Sequence, residues 1–330
     1  MRLSKSVKAI VRLIPIILFS LFISSCSSEK LVTDSRIAMG TLVVVSLEQS
    51  DEAEMEGIFS LVYEIDNAIS RYNPSSWISR INEMAGKERV AVPEDIFNLI
   101  KTSISMAYRT DGVFNPAVGP LSGLWGIGTE EARVPEKEEI ENILPLLDYT
   151  LIEIDDEART VYLPVAGMAL DLGGVGKGYA ADLIHDYLVQ RGVERALVNL
   201  GGNVLAFGSK SGKEKWKIGI RNPEKSASSF FATVEVSDET VITSGGYQRY
   251  IDQDGVRYHH ILDSRTGYPA VTDILSATVI NPSGTLGDML STTLFALGSE
   301  KAMELAEELG VEVILYLSDG SVLSTYSSDS

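Results

Sequence analysis

The sequence predicts an α+β fold, a largely antiparallel β-sheet core with packed helices, forming a single compact unit with a smaller peripheral insertion. Three observations carry this. Short β-branched and apolar runs crowd residues 195–280 at hairpin-like spacings rather than alternating with helices. Segments with helical apolar spacing lie on both sides of them. No internal repeat or low-complexity tract interrupts the pattern, which excludes a solenoid.

The N-terminus reads as a targeting segment. Arg2, Lys5, Lys8 and Arg12 precede an apolar run over 13–23 that is too short for a comfortable membrane anchor. Ile23-Ser24-Ser25-Cys26 resembles a bacterial lipobox, cut before Cys26 and lipidated there. Expected boundaries are a lipoprotein signal peptide at 1–25, a lipidated Cys with a polar tether at 26–35, and the folded body at 36–330.

Residues 36–47 are apolar and β-branched enough for one buried strand, and Met55, Ile58, Phe59, Val62, Ile65 and Ile69 mark an amphipathic helix within 51–69. Asn73-Pro74-Ser75-Ser76 is a turn composition, and 94–110 is a second amphipathic helix. The Gly/Pro-rich stretch 112–128 is expected to be a long ordered loop of the kind that binds something. Acidic residues 130–147 form the insertion. Strand-like runs follow at 150–154, 160–163 and 168–172, the last leading into a glycine loop at 173–178 and a helix stopped by Gly192. Strands at 195–200, 203–207, 215–220, 230–236 and 240–243 precede a hairpin over 249–262 that turns at Asp254-Gly255. A strand at 274–280, helices at 285–297 and 299–309, and a strand pair over 311–326 complete the chain.

Composition excludes several functions. With 28 Lys+Arg against 46 Asp+Glu the net charge is −18, which argues against nucleic-acid binding. Loss of residues 1–25 leaves 24 Lys+Arg and a net charge of −22, so attachment to anionic lipid would depend on acyl chains. A single Cys permits neither an internal disulfide nor a thiolate metal cluster.

Several residue sets could carry chemistry. Asp288, Ser291 and Thr292 fall at i, i+3 and i+4 of one helix, so their oxygens share a face; one carboxylate with hydroxyls suits Mg²⁺, although a polar face on a surface helix has the same spacing. The loop Gly173-Gly174-Val175-Gly176-Lys177-Gly178 could expose N–H groups to an anion, or simply make a tight turn. It matches neither GxxxxGK[ST] nor GxGxxG. His259 and His260 point to opposite faces if they lie in a strand, so only one can enter a shared site. Tyr72 offers an aromatic surface for stacking or for packing.

Taken in order, these segments resemble the ApbE-type FAD:protein FMN transferases along almost the whole mature chain. The matching stretches are Met39-Gly40-Thr41, Ser70 to Pro74, GVFNPAVGPLSGLWG over 112–126, DLGGVGKGYAAD over 171–182, Val198 to Asn203, Thr243 to Tyr247, HHILDSRTGYP over 259–269, and Asp288 with Ser291-Thr292. The resemblance implies a T-fold-like catalytic domain over 36–330. It also implies Mg²⁺-dependent transfer of FMN from FAD to a Thr or Ser hydroxyl of an acceptor protein, such as a membrane redox subunit or an extracytoplasmic flavoprotein, with AMP released. It further implies nucleotide contacts from Met39, Tyr72, Gly112, Val113, Phe114, Asn115, Asp171, Lys177 and Leu262. Metal contacts fall to the Gly174 carbonyl, Asp288 and Thr292 with Ser291 alongside, and His260 is the catalytic base. Asn115 stands where relatives usually carry Asp. The implied location is the periplasmic or extracytoplasmic face of a bacterial envelope, on a lipid anchor. FAD pyrophosphatase activity and non-enzymatic flavin binding by a lipoprotein are the competing readings.

Overall fold

The computed structural model describes residues 30–225 and 229–327; the signal-peptide reading and Cys26 fall outside the described residues. Its centre is an eight-stranded sheet of β1 (Leu31–Ala38), β2 (Thr41–Glu48), β3 (Ala196–Leu200), β4 (Asn203–Phe207), β5 (Glu239–Ser244), β6 (Ile274–Asn281), β7 (Glu312–Leu317) and β8 (Val322–Ser324). Spatial order equals chain order, and every neighbouring pair is antiparallel. The expected α+β architecture is the one observed.

Strand alternation divides the apolar side chains between two faces. Val43, Val45 and Leu47 of β2, Val198 and Leu200 of β3, and Leu205 of β4 face the main core. There they meet α1 (Met55–Ile69), α6 (Gly176–Arg191) and α7 (Gly284–Leu297), which present Ile58, Phe59, Ile184, Leu290 and Leu294. Helices α2 (Trp77–Glu83), α3 (Glu94–Arg109), α4 (Gly119–Trp125), α5 (Lys137–Ile143) and α8 (Ser299–Leu309) complete the set of α-helices among the described residues. Ala206, Val241, Ile280 and Ile314 face the other way, under a ribbon of Trp216–Arg221 and Phe230–Val236. The sheet is therefore covered on both sides.

Four expectations need correction. The run 36–47 is two strands, because Met39 and Gly40 both take positive φ (50° and 65°) and make a two-residue hairpin turn of the primed type. The tether is shorter than expected, since Leu31–Ser35 already pair with β2. The loop 112–128 contains α4, which Gly126 ends in the left-handed conformation. Residues 168–172 form no strand; the Asn82 side chain takes a strand's place by accepting from Leu170 N (2.6 Å) and donating to Leu170 O (3.0 Å).

The acidic insertion keeps its charges outside but does not merely rest on the surface. Ile140 and Leu147 pack with Leu121 and Trp125 of α4 in a small separate core. Trp125 Nε1 donates to Gly267 O at 2.9 Å, so this core also anchors the segment after the two histidines.

Candidate active site

Helices α6 and α7 cap each other. Asp182 of α6 accepts from Gly284 N (2.5 Å), Thr285 N (2.9 Å) and Ser283 Oγ (3.2 Å) at the start of α7. Asp288 of α7 accepts from Gly178 N (2.9 Å) in the first turn of α6. Each carboxylate satisfies N–H groups that a helix start leaves open and sits at the positive end of its neighbour's dipole. The approach requires glycine at 178, where a Cβ would lie 2.6 Å from the Asp288 Cβ and on the Gly284 carbonyl.

This mutual capping places the glycine loop against α7. Asp288 is 2% exposed, and its Oδ2 also lies 3.5 Å from Lys177 Nζ. A Cβ on Gly174 would come within 3.8 Å of Thr292 Oγ1 and 3.4 Å of the Phe114 ring. Ser244 Oγ, at the end of β5, is 2.8 Å from Ser291 Oγ and 3.3 Å from Thr292 Oγ1. The face predicted from i, i+3, i+4 spacing therefore exists, and it is turned into the protein rather than toward solvent.

These groups line a cavity of about 360 Å³. The sequence-predicted residues on its wall are Met39, Tyr72, Val113, Phe114, Asn115, Asp171, Gly174, Lys177, His260, Leu262, Asp288 and Thr292. Two predicted residues are absent from it. Ser291 is fully buried behind the wall, donating to Asp288 O (3.0 Å). Gly112 lies off the wall, with a φ of 73° and its carbonyl accepting from Ser264 Oγ at 3.0 Å.

His260 and His259 diverge as strand alternation requires. The His259 ring packs edge-on to Phe295 with centroids 5.3 Å apart, and its Nε2 meets Ala270 O at 3.1 Å. The His260 ring enters the cavity, with Nδ1 3.2 Å from the Arg249 carbonyl. A carbonyl only accepts, so Nδ1 carries the proton and Nε2 of the neutral ring has a free lone pair. Burial pushes the His260 pKa down to about 4, the positive charges of Arg249 and Lys177 adding to the fall while the Arg249 carbonyl opposes it. The ring is a neutral proton acceptor at physiological pH.

Asn115 is committed to structure. Its Oδ1 accepts from Ala117 N and its Nδ2 donates to Leu147 O, both at 2.8 Å. A carboxylate there would face the Leu147 carbonyl without a proton to give it.

Sequence reasoning missed several wall residues. Arg71 lies 3.6 Å from Asp171 Oδ2, while Asp171 Oδ1 accepts from Gly173 N (2.8 Å) and steadies the loop. Asp66 accepts from Met39 N (2.7 Å), and Arg249 Nη2 donates to Gly40 O (3.0 Å), fixing the β1–β2 turn at the cavity edge. Arg71, Ser244 and Asn203 lie inside recognised motif stretches but carried no assigned role, and only the fold reveals that Asp66 and Arg249 come to the same wall.

The donor set suits a hard divalent cation. No group of three or more His, Cys, Asp or Glu side chains gathers for a metal among the described residues. One carboxylate and one hydroxyl remain, with the Gly174 backbone packed beside Thr292, an oxygen set that favours Mg²⁺ over softer metals and leaves positions for phosphate oxygens.

Known proteins resemble this chain in sequence and in fold. A family model described as the ApbE family matches residues 39–315. A Klebsiella pneumoniae protein named FAD:protein FMN transferase is 38% identical over 275 residues, covering 83% of this chain and 85% of its own length. A Treponema pallidum protein of the same name is 34% identical over 322 residues, covering 91% and 89%. The crystal structure of the ApbE protein from Thermotoga maritima superposes with a TM-score of 0.83 at 34% identity, covering 89% of this chain and 97% of that one.

Proposed function

Since the chain belongs to the ApbE family, we propose that this FAD:protein FMN transferase is Mg²⁺-dependent, moving the FMN half of FAD onto a threonine or serine hydroxyl of an acceptor protein and releasing AMP. The observation that carries the finer reading is the meeting of Gly174, Lys177, Asp288 and Thr292 in the cavity that also receives His260.

Asp288 and Thr292, with the Gly174 carbonyl, would hold the ion. A bound Mg²⁺ neutralises diphosphate charge and orients it for in-line displacement. Lys177 adds a positive group on the same wall. His260 Nε2 takes the proton from the acceptor hydroxyl, whose oxygen bonds to the FMN phosphorus. The bond from that phosphorus to the bridging oxygen breaks, and its electron pair leaves with AMP. Met39, Tyr72, Val113, Phe114, Asp171 and Leu262 are our candidates for nucleotide contact; Tyr72, 67% exposed at the rim, suits stacking on a ring.

In our reading the enzyme works at the extracytoplasmic face of a bacterial envelope, tethered through lipidated Cys26. Support comes from the charge, length and ending of residues 1–26.

The test is to incubate the protein with FAD, Mg²⁺ and a threonine-bearing acceptor. We expect a flavin-fluorescent acceptor band on a denaturing gel and one AMP per flavin attached. Free FMN and AMP without labelling would indicate a pyrophosphatase, and retained FAD without AMP would indicate a flavin-binding protein.

A further inference from the structure

Asn203 opens β4 and is held by its backbone on both sides, pairing with Leu200 of β3 and with Ile242 of β5. The turn before it is fixed as well. Gly201 and Gly202 take positive φ (64° and 105°), a Cβ on Gly201 would collide with Thr41, and Asn199 Oδ1 accepts from Gly202 N at 2.8 Å. The residue cannot shift to find company for its side chain. It is 2% exposed, and its Nδ2 has no hydrogen-bond acceptor.

Buried amides are nearly always satisfied, and leaving one without a partner costs the full loss of its hydration. Asn203 forms part of the cavity wall, beside Gly201, Thr243, Ser244 and Gln248. Its missing partner therefore belongs to whatever fills the cavity. Arg71 Nη1 is the other such atom on this wall among the described residues, but its charge is already matched by Asp171, whereas the Asn203 Nδ2 has no acceptor.

We propose that Asn203 is a substrate-binding residue whose side-chain amide donates a hydrogen bond to FAD. The inference rests on the transferase reading. FAD rather than the acceptor protein is the partner because a macromolecule meets the rim, where Tyr72 is exposed, while a nearly inaccessible amide on the sheet is reached only by a small molecule that enters the cavity. The accepting atom is a lone pair on a ring nitrogen, carbonyl or phosphoryl oxygen, in either the FMN or the AMP half.

The experiment measures equilibrium binding of FAD, FMN and AMP to the full chain by flavin-fluorescence quenching and calorimetry, in wild type, Asn203→Ala and Asn203→Asp. Both variants remove the donor, and Asp keeps the shape. FAD affinity should fall about tenfold in each. One of the two half-nucleotides should lose affinity in parallel, which identifies the accepting half. Melting of the ligand-free protein should change little in Asn203→Ala, because the donor it deletes has no partner in the free protein; a structural role would instead lower the melting temperature and leave affinity intact. Unchanged FAD affinity in both variants overturns the proposal. Failure of the wild type to bind FAD overturns the transferase reading itself, a separate outcome.

Discussion

At the scale of single residues, chemistry and support are divided between neighbours. His260 lines the cavity, while His259 packs against Phe295 and braces the strand end. Replacing His260 by Ala should abolish transfer, roughly a 10²–10⁴-fold loss for a general base, and leave FAD affinity within a few-fold. Acid should act late. Burial holds the His260 pKa near 4, so the free enzyme keeps its base neutral through pH 5–6, and the acidic limb of kcat/KM should fall near pH 4 rather than 6.5. Stability has a matching sign. Between the unfolded value near 6.5 and the folded value near 4, the unfolded chain binds more protons, so this residue costs stability as pH falls through that window. Urea titrations at several pH values would read that slope. Asp288→Asn keeps the shape and can still accept from Gly178 N, yet removes the charge. It should bind FAD, lose transfer, and lose its response to added Mg²⁺, as a metal titration of initial rates would show.

Secondary-structure elements were legible wherever periodicity was long. The helices over 51–69 and 285–297, and the hairpin at Asp254-Gly255, follow directly from apolar spacing and turn chemistry. Failures came where a local device outweighed composition. Met39-Gly40 turns the chain because two residues tolerate positive φ, and α4 forms in a Gly/Pro-rich stretch because Pro120 stands at its first turn and Trp125 is buried. Residues 168–172 look like a strand in sequence, but Leu170 bonds to the Asn82 side chain, and Ala169 and Asp171 to the backbone of the 116–119 loop, rather than to a strand. Asn82→Ala should therefore speed amide hydrogen exchange at Leu170 and along the glycine loop while leaving the central sheet protected. The helix pair offers a sharper test. Gly178→Ala should cost about 1–3 kcal/mol by overpacking, read as a lowered melting temperature, and should displace Asp288 enough to impair transfer.

Across the whole molecule, the cavity exists because a chain-order meander brings distant segments to one end of a sheet. Thr41, Asn203 and Ser244 come from three strands, Gly174 precedes α6, and Asp288 rides on α7. The i, i+3, i+4 face of α7 was readable from sequence; that it points inward against Gly178 was not, because capping between helices is a tertiary event. The strongly acidic body opposes a polyanionic substrate, which is why the proposed function calls for a cation at this site. The most direct test of that convergence is anomalous scattering from crystals soaked in Mn²⁺ as a stand-in for Mg²⁺. The account predicts a peak bonded to the Asp288 carboxylate, Thr292 Oγ1 and the carbonyl of Gly174. A crystal with no peak there, and Asp288 still paired with Lys177 at saturating metal, would contradict it.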